Sequence, residues 1–163
     1  MNKRVPYNIL LFLSNWYKLS NAIVNWNGVM SNKYVLCSGI RQGGVLSPVL
    51  FALYIDNVIV SLKKQGFGCH IGLQCLSVLM YADDLILVSG SVTGLQSMLN
   101  MCIAELDKLD LKINTTKSVC IRIGSNYKCD CCNLSVNNSE ITWPDQLIYL
   151  GITIKAASKF LVD

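Results

Sequence analysis

The chain has 163 residues, 52 % of them hydrophobic, which suits one domain with a single core and excludes global disorder. Its net charge is +4: residues 1–66 carry seven Lys or Arg against Asp56 alone, and residues 67–163 carry seven basic and nine acidic residues. A basic half fits a polyanionic partner, and it equally fits a solvated surface.

The longest mostly apolar stretch, 45–62, is broken by Pro48, Asp56 and Asn57. No run reaches the roughly 18 apolar residues of a membrane span. No signal-peptide cleavage pattern follows apolar residues 9–13, so an intracellular protein, nuclear or cytoplasmic, is expected, with no membrane partner. The eight cysteines are scattered and read as reduced small hydrophobes. Cys129, Cys131 and Cys132 form the one cluster, and the single histidine, His70, lies far off in sequence, so a zinc site is disfavoured.

In chain order, residues 8–19 read as a helix, with Leu11, Phe12, Asn15, Trp16 and Leu19 at helical spacing. Residues 23–26 and 29–36 read as a hairpin around Asn27-Gly28. Residues 38–44 are a polar, glycine-bearing loop. Ser47-Pro48 then reads as an N-cap with proline at the first helical position, opening a helix to about Lys64. Strands are predicted over 76–82 and 85–88, and Thr93 to Gln96 matches a capping box for the next helix. That helix has Leu95, Met98, Leu99, Cys102, Ile103, Leu106 and Leu109 on one face. Short strands are expected over 111–114 and 118–123, a polar, turn-rich stretch with a small hairpin over 125–146, and a last strand over 147–154. The pattern is α+β with an antiparallel sheet.

Two constellations carry chemistry. Tyr81-Ala82-Asp83-Asp84 puts adjacent carboxylates between two apolar strands. Their charges repel, and a turn would be better served by Asn-Gly. A bound divalent cation would remove that cost, and an ordinary acidic turn remains the alternative. In the run from Gly39 to Pro48, Gly43 and Gly44 allow close backbone approach, Arg41 and Gln42 add a charge and an amide, and the following helix adds a positive dipole end. Such a loop suits a nucleotide phosphate or a base pair, and it also suits a plain helix entry.

Arg41-Gln42-Gly43-Gly44-Val45-Leu46-Ser47-Pro48, followed by Leu50-Phe51-Ala52-Leu53-Tyr54, resembles motif B of the reverse transcriptases of non-LTR (LINE-type) retrotransposons. Tyr81-Ala82-Asp83-Asp84 resembles their motif C, Asn114-Thr115-Thr116-Lys117 their motif D, and Tyr149-Leu150-Gly151 their motif E. Leu95-Gln96, Leu99-Asn100, Trp16-Tyr17 and Trp26-Asn27-Gly28 also fall in order. The similarity covers about residues 5–155 and is weakest over 125–146. Group II intron maturases have a similar core, but the Tyr149-Leu150-Gly151 and Trp26-Asn27-Gly28 contexts favour the retrotransposon group.

The resemblance implies one partial palm domain over 1–163, the antiparallel-sheet palm of a right-hand polymerase with packed helices, without fingers or thumb. It implies an RNA-directed DNA polymerase that uses an RNA template, a DNA primer and dNTPs. Asp83 and Asp84 would hold Mg²⁺, or Mn²⁺, with Tyr81 packed beneath them. Gln42, Gly43 and Gly44 would meet template or the new base pair, and Arg41 a phosphate. Lys117 would stabilise or protonate the leaving pyrophosphate, and Tyr149, Leu150 and Gly151 would touch the primer. The family's motif A aspartate lies upstream of the Trp16-Tyr17 segment, and Asp56, inside a helix past motif B, does not replace it. The isolated chain is therefore expected to be inactive. The alternative is a non-catalytic nucleic-acid-binding remnant or a retained interaction module. Two geometric expectations follow. The carboxylates should sit, partly exposed, at the tip of an antiparallel hairpin beside the helix after Pro48, and the 39–44 loop should share their side of the sheet.

Overall fold

A computed structural model describes residues 5–37, 39 and 43–162, which fall into two units, Met1–Ser47 and Pro48–Asp163.

The first unit opens with α1, Tyr7–Lys18. Pro6 precedes it, and its carbonyl accepts the amides of Ile9 and Leu10 at 3.0 and 3.2 Å. At the far end the Ser20 hydroxyl donates to the Trp16 carbonyl (3.1 Å). A ribbon follows in two ladders. The outer one pairs β1, Asn21–Ala22, with β4, Tyr34–Val35, and the inner one pairs β2, Asn25–Trp26, with β3, Val29–Met30. Asn27 (φ 49°) and Gly28 (φ 83°) form the turn. Positive φ at both positions is the type I′ geometry that Asn-Gly favours. Between the ladders, the Ser31 amide donates to the Val24 carbonyl (2.9 Å) and the Val24 amide donates to the Ser31 hydroxyl (3.0 Å).

The second unit is built on two helices, α2 (Ser47–Lys64) and α3 (Val92–Asp107). Pro48 lies in the first turn of α2, where a missing N–H is no loss. The α3 cap corrects the sequence reading. It is Ser91, whose hydroxyl accepts from the Gly94 amide at 3.0 Å, so Thr93 is already inside the helix. A Cβ at Gly94 would come within 2.6 Å of the Ser89 hydroxyl and 2.9 Å of the Ser91 hydroxyl, so any side chain there must displace both, the capping hydroxyl included. The helix ends with the Leu111 amide on the Leu106 carbonyl and the Asp110 amide on the Asp107 carbonyl (3.0 and 3.2 Å), with Asp110 left-handed at φ 54°. This is a Schellman motif with aspartate where glycine is usual.

Ile55, Val58 and Leu62 of α2 meet Met98, Cys102 and Leu106 of α3 in one core, which also buries Val78. A second core packs Leu99 against Leu134, Val136 and Ile141. The Tyr54 hydroxyl ties α2 to the end of α3 by donating to the Leu109 carbonyl (2.9 Å).

Five antiparallel pairings, in four sheets, make up the rest of the described strands. They join β5 (Cys69–Ile71) to β6 (Gln74–Leu76), β7 (Val78–Tyr81) to β8 (Asp84–Leu87), and β9 (Leu134–Val136) to β10 (Ser139–Ile141); β11 (Gln146–Tyr149), β12 (Ile152–Lys155) and β13 (Leu161–Val162) form a three-stranded sheet. The fold class is α+β with antiparallel ladders, as expected, but the ladders are distributed over six small sheets among the described residues. Two further expectations are corrected. Residues 111–114 and 118–123 form no named strand. Asn114 turns the chain instead, its side-chain oxygen accepting from the Thr116 and Lys117 amides (3.1 and 3.3 Å). Residues 147–154 are two strands, because Leu150 (φ 51°) and Gly151 (φ 81°) reverse the chain between Tyr149 and Ile152. The β5–β6 hairpin, in a stretch for which the sequence suggested no element, turns on Gly72-Leu73. No helix among the described residues is long and apolar enough to cross a membrane.

Candidate functional site

The β7–β8 hairpin pairs Val78 with Leu87, Leu79 with Ile86, Met80 with Leu85 and Tyr81 with Asp84. Cross-strand partners share a face, and faces alternate along a strand. Val78, Met80, Leu85 and Leu87 belong to or pack on the core that α2 and α3 build. Leu79, Tyr81 and Asp84 therefore point the other way, and all are exposed. The hairpin is anchored on one face and presents the Asp84 carboxylate on the other.

This register shifts the tip by one residue from the sequence reading. The turn residues are Ala82 and Asp83, and Asp84 is the first residue of β8. Both carboxylates remain adjacent and exposed at the tip. Tyr81 is corrected more fully: it is 64 % exposed and does not pack beneath the aspartates. Its cross-strand pairing with Asp84 explains this, since Tyr81 shares the outward face.

Five two-residue turns among the described residues have a positive φ at their first position. Three use residues that tolerate it, namely Asn27, Gly72 and Asn137. The other two use Ala82 (φ 51°) and Leu150 (φ 51°). An L-residue pays roughly 1–2 kcal/mol for that conformation. The two strained turns are the carboxylate tip and the Tyr149-Leu150-Gly151 turn.

The remaining site residues are placed as follows. Gly43 is exposed with φ 75°, and the Gly44 carbonyl accepts the Ser47 amide (3.1 Å). Arg41 and Gln42, and with them the expected placement of the 39–44 loop, lie outside the described residues. Lys117 is exposed on the Asn114 turn, its amide bonded to the Asn114 carbonyl (3.2 Å). Tyr149 is half-buried, while Leu150 and Gly151 are exposed. Among the described residues no three His, Cys, Asp or Glu side chains group closely enough to hold a metal ion, the Cys129, Cys131 and Cys132 cluster included.

Two polar latches escaped the sequence reading. The Gln96 side chain accepts from the Ser135 amide (2.9 Å) and donates to the Ser135 carbonyl (3.0 Å), holding β9 as a neighbouring strand would. It also donates to Asn100 (2.7 Å), the i,i+4 spacing being the one legible hint. Arg122 donates to the carbonyls of Asn126 (2.8 Å) and Cys129 (2.6 Å) and lies over the Trp143 ring at 5.7 Å, closing the cysteine-bearing loop. Burial pushes the Cys102 thiol up to about 11, and burial, then Cys131, pushes Cys120 up to about 11.

An α+β unit whose two helices anchor a hairpin tipped by adjacent carboxylates is the kind of scaffold on which polymerase palms are built. The sequence matches the reverse transcriptase (RNA-dependent DNA polymerase) family over residues 3–154, and the chain belongs to that family. It is 30 % identical over 162 residues to the Pol polyprotein of the type-2 retrotransposable element R2DM of Drosophila melanogaster, which covers 94 % of this chain and 15 % of that protein. An R2 Pol polyprotein of Nasonia vitripennis is 32 % identical over 123 residues, 70 % of this chain and 12 % of its own length. The transposon TX1 149 kDa protein of Xenopus laevis is 28 % identical over 148 residues, 89 % of this chain and 11 % of its own length. The R2 relatives are non-LTR retrotransposon proteins, so the LINE-type assignment stands. The chain spans no more than 15 % of the length of these relatives.

Proposed function

We propose that this chain is the motif B to motif E part of an RNA-directed DNA polymerase palm, both units belonging to one partial domain. The reaction is attack of a primer 3′-hydroxyl on the α-phosphorus of a dNTP, forming a phosphodiester and releasing pyrophosphate. The carrying observation is the tip of β7–β8: two adjacent exposed carboxylates on a strained turn whose opposite face is fixed in the core. Strain kept at a polar tip is a reason to look for function there.

The donor set fits a divalent cation in kind, because hard carboxylate oxygens on an open surface suit Mg²⁺ and accept Mn²⁺. Asp83 and Asp84 would hold it. Bound there, the cation polarises phosphoryl oxygen and favours the ionised nucleophile. The chain's own residues do the rest. Lys117 delivers positive charge, or a proton, to the departing pyrophosphate. Gln42, Gly43 and Gly44 bear on the templating base pair, and Arg41 on a phosphate. The turn of Tyr149, Leu150 and Gly151 bears on the primer backbone. The setting is intracellular, with RNA template, DNA primer and dNTP as partners.

The 163 residues alone should not extend a primer, because transfer through two cations draws on more carboxylate oxygen than this tip supplies. The test is Mn²⁺ binding followed by electron paramagnetic resonance, with primer extension on a primed RNA template run alongside. Weak binding that is lost in Asp83→Ala is expected, without extension. Binding unchanged in both Asp83→Ala and Asp84→Ala would sink the assignment. Extension abolished by Asp83→Ala would show that another acid completes the site.

A further inference from the structure

We propose that the tip of the β2–β3 ribbon is a stacking platform for an unpaired base of single-stranded RNA. The inference rests on the reading that this protein handles RNA, and it adds a contact separate from the carboxylate tip.

Trp26 is 81 % exposed, and its cross-strand partner Val29 is 73 % exposed. Both lie on one face of the ribbon, and Val24, two residues before Trp26, extends that face. Together with Asn27, Met30 and Ser31 they line a shallow concavity of about 500 Å³. An indole set beside apolar side chains in an open hollow offers a π-face to any base. Asn27 is among the lining residues, and a side-chain amide can donate to and accept from a base edge; the Ser31 hydroxyl is engaged with the Val24 amide and the Asn32 carbonyl.

The charge pattern selects the occupant. Residues 1–47 contain Lys3, Arg4, Lys18, Lys33 and Arg41 and no aspartate or glutamate. Lys33 is exposed and follows Met30 by three residues on the returning arm of the ribbon. A cationic, acid-free segment carrying an exposed aromatic is the combination that single strands use, with phosphates drawn by charge and bases held by stacking. A duplex hides its base faces and would not fit.

The ribbon is also rigid enough to serve. Its type I′ turn, its two ladders and the Val24–Ser31 exchange fix the backbone that carries Trp26 before any ligand arrives. A preorganised aromatic loses little conformational freedom on binding.

The experiment titrates the whole chain with short oligoadenylate at low salt, reading tryptophan fluorescence and the anisotropy of a labelled strand. Quenching is expected, with affinity about tenfold weaker in Trp26→Ala, as loss of one stacked base predicts. Trp26→Phe should keep most of the affinity, which separates lost stacking from a damaged ribbon. The dependence of affinity on salt should be the same in the chain and in Trp26→Ala, because no ionic contact has been removed. Double-stranded RNA should compete poorly. Equal affinity in Trp26→Ala would overturn the platform while leaving RNA handling intact. No binding at low salt would also overturn it, while the Mn²⁺ assay on Asp83 and Asp84 tests the polymerase reading independently. Unchanged RNA affinity with reduced self-association in Trp26→Ala would assign the face to a second copy of the chain instead.

Discussion

Replacing Ala82 by glycine should make the protein more stable and its carboxylate tip less competent. Ala82 holds φ at 51° at the first position of the β7–β8 turn, and its side chain is exposed. Relief of the left-handed conformation is worth roughly 1–2 kcal/mol. Glycine's greater freedom in the unfolded chain returns roughly 0.5–1 kcal/mol of that. The exposed methyl contributes no packing, so a net gain of about 0.5–1 kcal/mol remains. For a chain of this size that raises the melting temperature by about 1–4 °C. The same substitution lets the turn sample conformations that separate Asp83 from Asp84, so Mn²⁺ affinity should fall several-fold. Leu150→Gly is the control, since it relieves the same φ of 51° at a turn without carboxylates. It should stabilise and leave Mn²⁺ affinity unchanged. Thermal melts and paramagnetic resonance titrations read both effects. If Ala82→Gly lowers the melting temperature, or tightens Mn²⁺ binding, the reasoning from stored strain is refuted.

Other outcomes follow from particular contacts. Gln96→Ala removes both hydrogen bonds to the Ser135 backbone and should cost about 1–3 kcal/mol, with faster hydrogen exchange at the Ser135 amide. Gly94→Ala should destabilise, although Gly→Ala inside a helix ordinarily stabilises by about 1 kcal/mol, because the new Cβ would strike the hydroxyls of Ser89 and Ser91. Gly68→Ala should cost more, since its Cβ would meet the Ser77 Cα at 2.6 Å, which is backbone and cannot swing aside; urea titration ranks the two. The Cys102 thiol, raised by burial from 9.0 to about 11, stays neutral in the fold while its unfolded counterpart ionises. Its contribution is therefore complete below pH 9.0 and is lost as pH rises toward 11, an effect of about 3 kcal/mol that Cys102→Ala should flatten in melts across that range. Iodoacetamide should label exposed Cys37, Cys129 and Cys132 well before Cys102.

How much of this was legible varies with the length over which a signal accumulates. α1 and α2 matched their predicted spans to within a residue or so, because apolar spacing and the Ser47-Pro48 start agree over many residues. Asn27-Gly28 located its turn because that dipeptide is among the few that relax into type I′ geometry. The Leu150-Gly151 turn was read through as strand, since leucine signals a strand and only the neighbouring glycine hints otherwise. The cap of α3 was misplaced by two residues because Ser91 and Thr93 are both competent caps. In the fold Ser91 caps through the Gly94 amide, while Gln96, which would complete a box on Thr93, bonds the Ser135 backbone. Gln96 was invisible as a latch because its partner is backbone 39 residues away.

The same contrast explains why the carboxylate tip stood out while its geometry did not. Asp83-Asp84 breaks a local rule, placing like charges side by side where Asn-Gly would be comfortable, and a broken rule can be read without coordinates. The turn adds a second broken rule that spelling alone conceals, alanine in a conformation that glycine or asparagine fills at three comparable turns. One unfavourable local choice can be incidental. Two at adjacent positions, on a hairpin whose other face is fixed by Val78, Met80, Leu85 and Leu87, mean that the surrounding core holds the tip in a geometry its own residues would not choose. Natural sequences concentrate such conflicts where function requires them. In this chain the two strained turns coincide with the segments that resemble motifs C and E.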